Sequence, residues 1–252
     1  MRRRLWGFIV ITVAVLVLST YIHKVLSYIP AYRELHRHDP FYAESIDKIA
    51  VIILCVGAVW LMCPTNLRGI IRDLGLSALV LPAIAFALVA SSPMLIGFAF
   101  TRSLTPHIQI LPLLFLTVFS PLVEEIEFRG FGVRNLQRET GLPFWSAVWP
   151  SALLFGLGHI EKGQRWQEMA GLFFLLGAGG VIFAWLVYRW QNLWVCVALH
   201  IAMNLWWELF SVAKTAIGGW LPFVLQNMSI VLAIIVTLYW TRPKKVAGTV
   251  GT

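Results

Sequence analysis

Apolar runs broken by short polar segments make up most of the chain. They cover residues 5–18, 48–63, 76–100, 108–127, 144–160, 169–188, 192–212 and 220–241. An α-helix rises about 1.5 Å per residue, so ~20 residues cross a hydrocarbon core of ~30 Å. The pattern therefore predicts an all-α fold, a polytopic transmembrane helical bundle of about eight spans. Met1-Arg-Arg-Arg4 precedes the first run, and no small-residue cleavage site follows it, so that run reads as an uncleaved signal anchor. Residues 23–47, with Pro30, Pro40 and the stretch Arg33-Glu-Leu-His-Arg-His38, read as a solvated polar loop. Pro82 and Ser91-Ser92-Pro93 predict a kink or break in the third run. Gly177-Ala-Gly-Gly180 offers a surface for close helix packing.

Composition agrees with this picture and narrows it. Of the 252 residues, 59% are hydrophobic and 13% charged, against about 25% charged in a soluble domain. The chain cannot cover itself with a soluble surface and is read as an integral membrane protein. The net charge of +8 forms no basic stripe with interleaved aromatics, so no nucleic-acid partner is expected; the bilayer is the expected surroundings. With the N-terminus inside, the inner segments carry Arg2, Arg3, Arg4, Arg68, Arg72, Arg129, Arg134, Arg138, Arg189, Arg242, Lys244 and Lys245. The outer ones carry Lys24, Arg33, Arg37, Lys48, Arg102, Lys162, Arg165 and Lys214. That is 12 basic residues against 8, which places both termini in the cytoplasm and the protein in a cell inner or plasma membrane. Trp6, Trp190, Trp194, Trp220 and Trp240 stand near run ends, where interfacial anchors occur. Cys55, Cys63 and Cys196 lie in apolar segments with no disulfide or metal spacing and read as small buried hydrophobes.

Against this background one stretch is anomalous, Ser120-Pro-Leu-Val-Glu-Glu-Ile-Glu-Phe-Arg-Gly130. Charges in or beside a span are costly and mark paired or functional groups. Glu125 and Arg129, four apart on a helix, share a face in the favourable order. That pairing leaves Glu124 free to interact elsewhere, with Glu127 on its side of the helix. Two further polar elements interrupt apolar runs: Phe155-Gly-Leu-Gly-His159, and His200-Ile-Ala-Met-Asn204, whose polar residues share one helical face continued by Glu208. Glu124 lies 17 residues before Gly141 and His159 lies 18 after it. In an antiparallel hairpin turning there, both stand ~26 Å from the turn. His200 lies nine residues past Gln191, ~14 Å deep. The depths agree if the first hairpin protrudes into the cytoplasm, with residues 129–139 as a charged arm. One cavity would then hold Glu124, His159, His200 and Asn204. A carboxylate and an imidazole can hold a water and take its proton, while a second imidazole and an amide can bind an oxyanion. A Zn²⁺ ion held by Glu and His ligands is also chemically possible, though no H-E-x-x-H is present.

Taken together, Glu124-Glu125-x-x-x-Arg129-Gly130, Phe155-x-x-x-His159 and His200-x-x-x-Asn204 resemble the motifs of the CPBP (CAAX protease and bacteriocin-processing, or Abi) family. These are intramembrane proteases related to the type II CAAX prenyl endopeptidase. The resemblance covers roughly residues 108–212, implied to be the catalytic core, between a motif-free segment 1–107 and a last helix with a basic tail, 213–252. It implies an endopeptidase acting on a membrane-associated protein or peptide. Glu124 and His159 would activate water, His200 and Asn204 would bind the oxyanion, and Glu125 and Arg129 would support them. No cofactor is expected, because the family pattern assigns His200 and Asn204 to the oxyanion and leaves too few ligands. The alternative is a zinc enzyme with Glu124, His159 and His200 as ligands. A transporter lacks support from any inverted repeat. A non-catalytic immunity protein is disfavoured because all four positions are filled. Glu127 stands where the motif is usually apolar and receives no role.

Overall fold

Proline is accommodated in the first turn of a helix, where its missing N–H has no intrahelical partner to lose, and several helices here begin that way. The computed structural model describes residues 2–163, 165–212 and 218–241, and every regular element among them is helical. Helix α1 (Arg2–Thr20) is followed by α2 (Ile22–Leu26), α3 (Pro30–His38) and α4 (Pro40–Met62). Pro30 and Pro40 open α3 and α4, and the Asp39 carboxylate caps α4 by accepting from the Tyr42 N–H at 3.3 Å. The expected loop 23–47 is thus largely helical. Its polar composition pointed to solvent, but α3 lies along α4 and buries Tyr32, whose hydroxyl donates to Asp47 at 2.8 Å. Burial, with that carboxylate beside it, pushes the Tyr32 phenol above its ordinary pKa.

Helix α5 (Leu67–Asp73) is capped by Asn66, whose side chain accepts from the Gly69 N–H at 2.9 Å. Then come α6 (Leu81–Ala90) and α7 (Ser92–Thr101), bent by 47° at the Ser91 break. The predicted break is at Ser91-Ser92-Pro93, while Pro82 starts a helix instead of kinking one. Buried Ser91 at the bend accepts from the Trp206 indole N–H at 2.9 Å.

The motif helix is one unbroken run of five pieces: α8 (Ile110–Leu114), a π-helical turn (Phe115–Phe119), α9 (Ser120–Glu125), a longer π-helical stretch (Ile126–Asn135) and α10 (Leu136–Thr140). It ends at Gly141, whose φ of 69° is left-handed. Residues 129–139 were expected to stand in the cytoplasm as a charged arm. Instead Arg129, Gly130, Phe131 and Val133 are buried, because α1, α4, α11 and α12 pack round this stretch. Helix α11 (Phe144–Leu157), a single 3₁₀ turn (Ile160–Lys162), α12 (Trp166–Trp190), α13 (Trp194–Leu209) and α14 (Trp220–Trp240) complete the bundle. Gln191 makes the other expected turn, with φ of 51°.

Among the described residues α4, α12 and α14 are long and apolar enough to cross a bilayer, and the bent pair α6–α7 makes a fourth candidate. The other predicted runs form shorter or charge-bearing helices, so about eight spans is not what helix length alone gives. Exposed Leu61, Phe100, Phe174 and Tyr239 present the apolar surface that lipid covers. Trp6, Trp220 and Trp240 are exposed as anchors would be. Trp190 and Trp194 are tied inward, donating to Thr237 at 2.9 Å and to the Leu76 carbonyl at 3.0 Å. None of the three cysteines forms a disulfide. Lys214, Arg242, Lys244 and Lys245 lie outside the described residues.

Gly177 and Gly180 of α12 face α11. A Cβ at Gly180 would stand 3.2 Å from the Ala152 Cα, while one at Gly179 meets open space. The tighter approach is from the other side, where a Cβ on Gly156 would lie 2.7 Å from the Phe173 carbonyl. Gly156→Ala is expected to cost about 1–3 kcal/mol, read as a lower Tm in detergent, with Gly179→Ala unchanged.

Candidate active site

Glu124 and Glu125 are neighbours on α9 but their carboxylates belong to different surroundings. Glu124 Oε1 accepts from Ser120 Oγ at 2.9 Å and from Lys48 Nζ at 2.7 Å. Both donors use one oxygen, and among the described residues Oε2 has no protein donor. Ser120 lies one turn back along the helix, whereas Lys48 comes from α4, outside the motifs.

Glu125 is completely buried and Arg129 is 2% exposed. Their expected pairing is present, Arg129 Nη1 donating to Glu125 Oε1 at 3.2 Å. The guanidinium also lies over Phe155, 4.2 Å from the ring centroid, and more distantly over Phe183 at 5.4 Å. Phe155 therefore serves its own motif by stacking on the arginine of the first one. The same Glu125 oxygen meets His200 Nδ1 at 2.8 Å. A carboxylate accepts, so Nδ1 carries the proton and Nε2 faces away from the pair. Glu125 Oε2 is buried with no partner among the described residues.

His159 stands just past the end of α11. Its Nδ1 is 2.8 Å from the Phe155 carbonyl, which can only accept, so again Nδ1 carries the proton and Nε2 keeps its lone pair. Asn204 is held by a defect in the motif helix. The Ser120 N–H bonds Phe115 O across the π turn, and Pro121, next in line, has no N–H to give Leu116 O. Asn204 Nδ2 donates to that carbonyl at 3.2 Å, leaving its second amide proton and its oxygen. Glu127 is buried and accepts from Ser19 Oγ of α1.

The hairpin brings Glu124 and His159 together, as their equal distances from Gly141 predicted. Both border a cavity of about 560 Å³, with Lys48 and Glu127 on its wall. His200 and Asn204 border a second, largely apolar cleft of about 180 Å³, with Glu125 and Arg129 at its base. The single cavity expected for all four is divided in two, and Phe155 borders both. The division follows from the helix: consecutive residues project about 100° apart, so Glu124 and Glu125 cannot face one space. Just past His159 the exposed Glu161 pairs with Lys24 at 2.5 Å, and that hydrogen bond holds the Glu161 carboxyl below its ordinary pKa. Sequence reasoning missed Lys48 and Ser19, whose only signal was a polar residue at the edge of an otherwise apolar run.

The zinc alternative requires Glu124, His159 and His200 to converge. Among the described residues no three His, Cys, Asp or Glu side chains are grouped as metal ligands, and His200 faces the other cleft, its Nδ1 held by Glu125. The ligand set is not assembled, and no step is derived through a metal.

Residues 105–206 match the model of the Rce1-like type II CAAX prenyl endopeptidase family. The match spans all three motifs and agrees with the resemblance to CPBP-family proteases read from them. Over those residues the chain is similar to CAAX-type endopeptidases, and it carries apolar helices long enough to cross a membrane. No curated protein and no solved structure matches the chain.

Proposed function

We propose that the protein is a glutamate-type intramembrane endopeptidase that hydrolyses a peptide bond of a membrane-associated protein or peptide. The observation that carries this reading is the placing of Glu124, with one unpartnered oxygen, on the same cavity as His159, whose tautomer leaves Nε2 free. A water held between Glu124 Oε2 and His159 Nε2 loses a proton to the carboxylate as its oxygen attacks the scissile carbonyl. The carbonyl π pair moves to oxygen, and the oxyanion is bound by the Asn204 amide and by His200 as imidazolium, with Glu125 as counter-ion. When the intermediate collapses, the C–N bond breaks and the proton on Glu124 passes to the leaving nitrogen. The scissile bond lies at the Phe155 partition, where substrate bridges the two spaces. In the same reading residues 108–212 are the catalytic core. About eight segments are embedded in a cell inner or plasma membrane, with both termini cytoplasmic.

Terminal proteomics of membrane fractions tests this. New N-termini are expected in cells with the wild-type protein and not in cells with Glu124→Ala. In detergent extracts, cleavage at those sites is expected to survive a chelator. Identical termini in both strains would sink the proteolytic reading. Activity lost to chelator and restored by Zn²⁺ would replace the metal-free mechanism with the zinc one.

A further inference from the structure

The matched region does not contain every group that touches Glu124. Its ion-pair partner is Lys48, which lies on α4, in a part of the chain without any motif. The pair is largely withdrawn from solvent, with side-chain exposures of 24% for Lys48 and 15% for Glu124. Arg129, the nearest cation in sequence, is committed to Glu125. An ionised carboxylate this withdrawn from water needs a compensating charge, and Lys48 supplies it. The lysine is itself well anchored. Its neighbour Asp47 is held by the Tyr32 hydroxyl at 2.8 and 3.0 Å, and α4 packs on both α9 and the π-helical stretch after it.

We propose that Lys48 is a positioning residue for Glu124: with Ser120 it grips Oε1, fixes the carboxylate's orientation and charge, and leaves Oε2 alone for the attacking water. Segment 1–107 is then more than a membrane anchor, because it completes the catalytic constellation. This inference rests on the proteolytic reading of Glu124.

The test uses full-length protein in detergent micelles and a quenched fluorogenic peptide copied from the most abundant Glu124-dependent cleavage site. Lys48→Met, which keeps length and removes charge, is expected to lower kcat about 100-fold with KM unchanged, the effect of a misplaced catalytic group. Lys48→Arg, which keeps the charge, is expected to recover at least tenfold of that loss. Lys48→Met should also lower Tm by about 5 °C, and adding Glu124→Gln should remove most of that drop, because the uncompensated charge is gone. A Lys48→Met enzyme with kcat within threefold of wild type overturns the proposal and leaves the proteolytic reading intact. So does a change confined to KM, which would make Lys48 a substrate contact, and so does a Lys48→Arg variant as inactive as Lys48→Met. A wild-type protein with no Glu124-dependent cleavage overturns the proteolytic reading and this inference with it.

Discussion

Glu124→Gln lowers kcat/KM by about 10³–10⁴-fold, the upper range for loss of a general base, while the protein remains folded. Glutamine is the sharper substitution because it keeps the shape of the side chain and an oxygen that can accept from Ser120 Oγ. What disappears is the negative charge and the ability to take a proton from water. Glu124→Ala removes both donors' partner and opens space beside Lys48, so it is expected to be at least as inactive and less stable. Equal loss of kcat in the two variants, with the glutamine protein melting close to wild type, assigns the loss to chemistry. A fully active Glu124→Gln enzyme would remove Glu124 from the mechanism. The Asn204 amide and His200 would retain a small residual rate by binding the oxyanion, as binding groups do when a base is deleted.

Arg129→Met is the second large effect, and it is on stability before it is on rate. Arg129 and Glu125 are both buried, and Glu125 already has one oxygen without a partner. Breaking a buried pair from one side strands the other charge, at about 3–5 kcal/mol. The stacking of the guanidinium on Phe155 at 4.2 Å is lost at the same time, and Phe155 is the wall between the two cavities. A drop in Tm of roughly 10 °C is expected for a chain of this size, measured by thermal melts in detergent. Arg129→Lys is expected to recover only part of it, since an ammonium has neither the planar fork nor the flat face that lies on the ring. The double variant Glu125→Gln/Arg129→Met should be more stable than Arg129→Met alone, because it removes the stranded charge. If Arg129→Met melted like wild type, the pair would not be the structural support of the motif.

The two effects separate the adjacent acids. Glu124 has one oxygen held and one left for chemistry. Glu125 is used for assembly, joining Arg129 on its own helix to His200 on α13 through a single oxygen. This also explains why a histidine and an asparagine four apart on α13 are both fastened to the motif helix, one to a carboxylate and the other to a carbonyl that Pro121 leaves without a donor. Their fastenings fix both side chains at the cleft beside Phe155.

Local signals carried much of the fold and part of the site. Helicity, the break at Ser91-Ser92-Pro93 and the Glu125–Arg129 pair depend on residues within a few positions of one another, and a sequence displays such relations directly. The match of Glu124 with His159 was legible because a hairpin turns distance along the chain into depth. Other features depended on neighbours far apart in sequence. The stretch 23–47 looks polar, yet Tyr32 and Asp47 bind it into helices. The stretch after Arg129 looks solvated, yet α1, α4, α11 and α12 pack round it and bury Phe131, Val133 and Leu136, while Arg138 stays exposed. Lys48 lies 76 positions from Glu124 and Ser19 lies 108 from Glu127. Nothing in a spacing rule connects such pairs; only the packing of α1 and α4 against the motif helix does. By itself the sequence determined a helical, strongly apolar chain carrying three motifs that resemble those of CAAX-type proteases. The tertiary structure alone decided that the two acids face different cavities and that Glu124 is held by a lysine from outside the motifs. The reason is physical: residue type and periodicity specify a helix and its apolar character, but which buried charge meets which counter-charge is settled only when the helices pack.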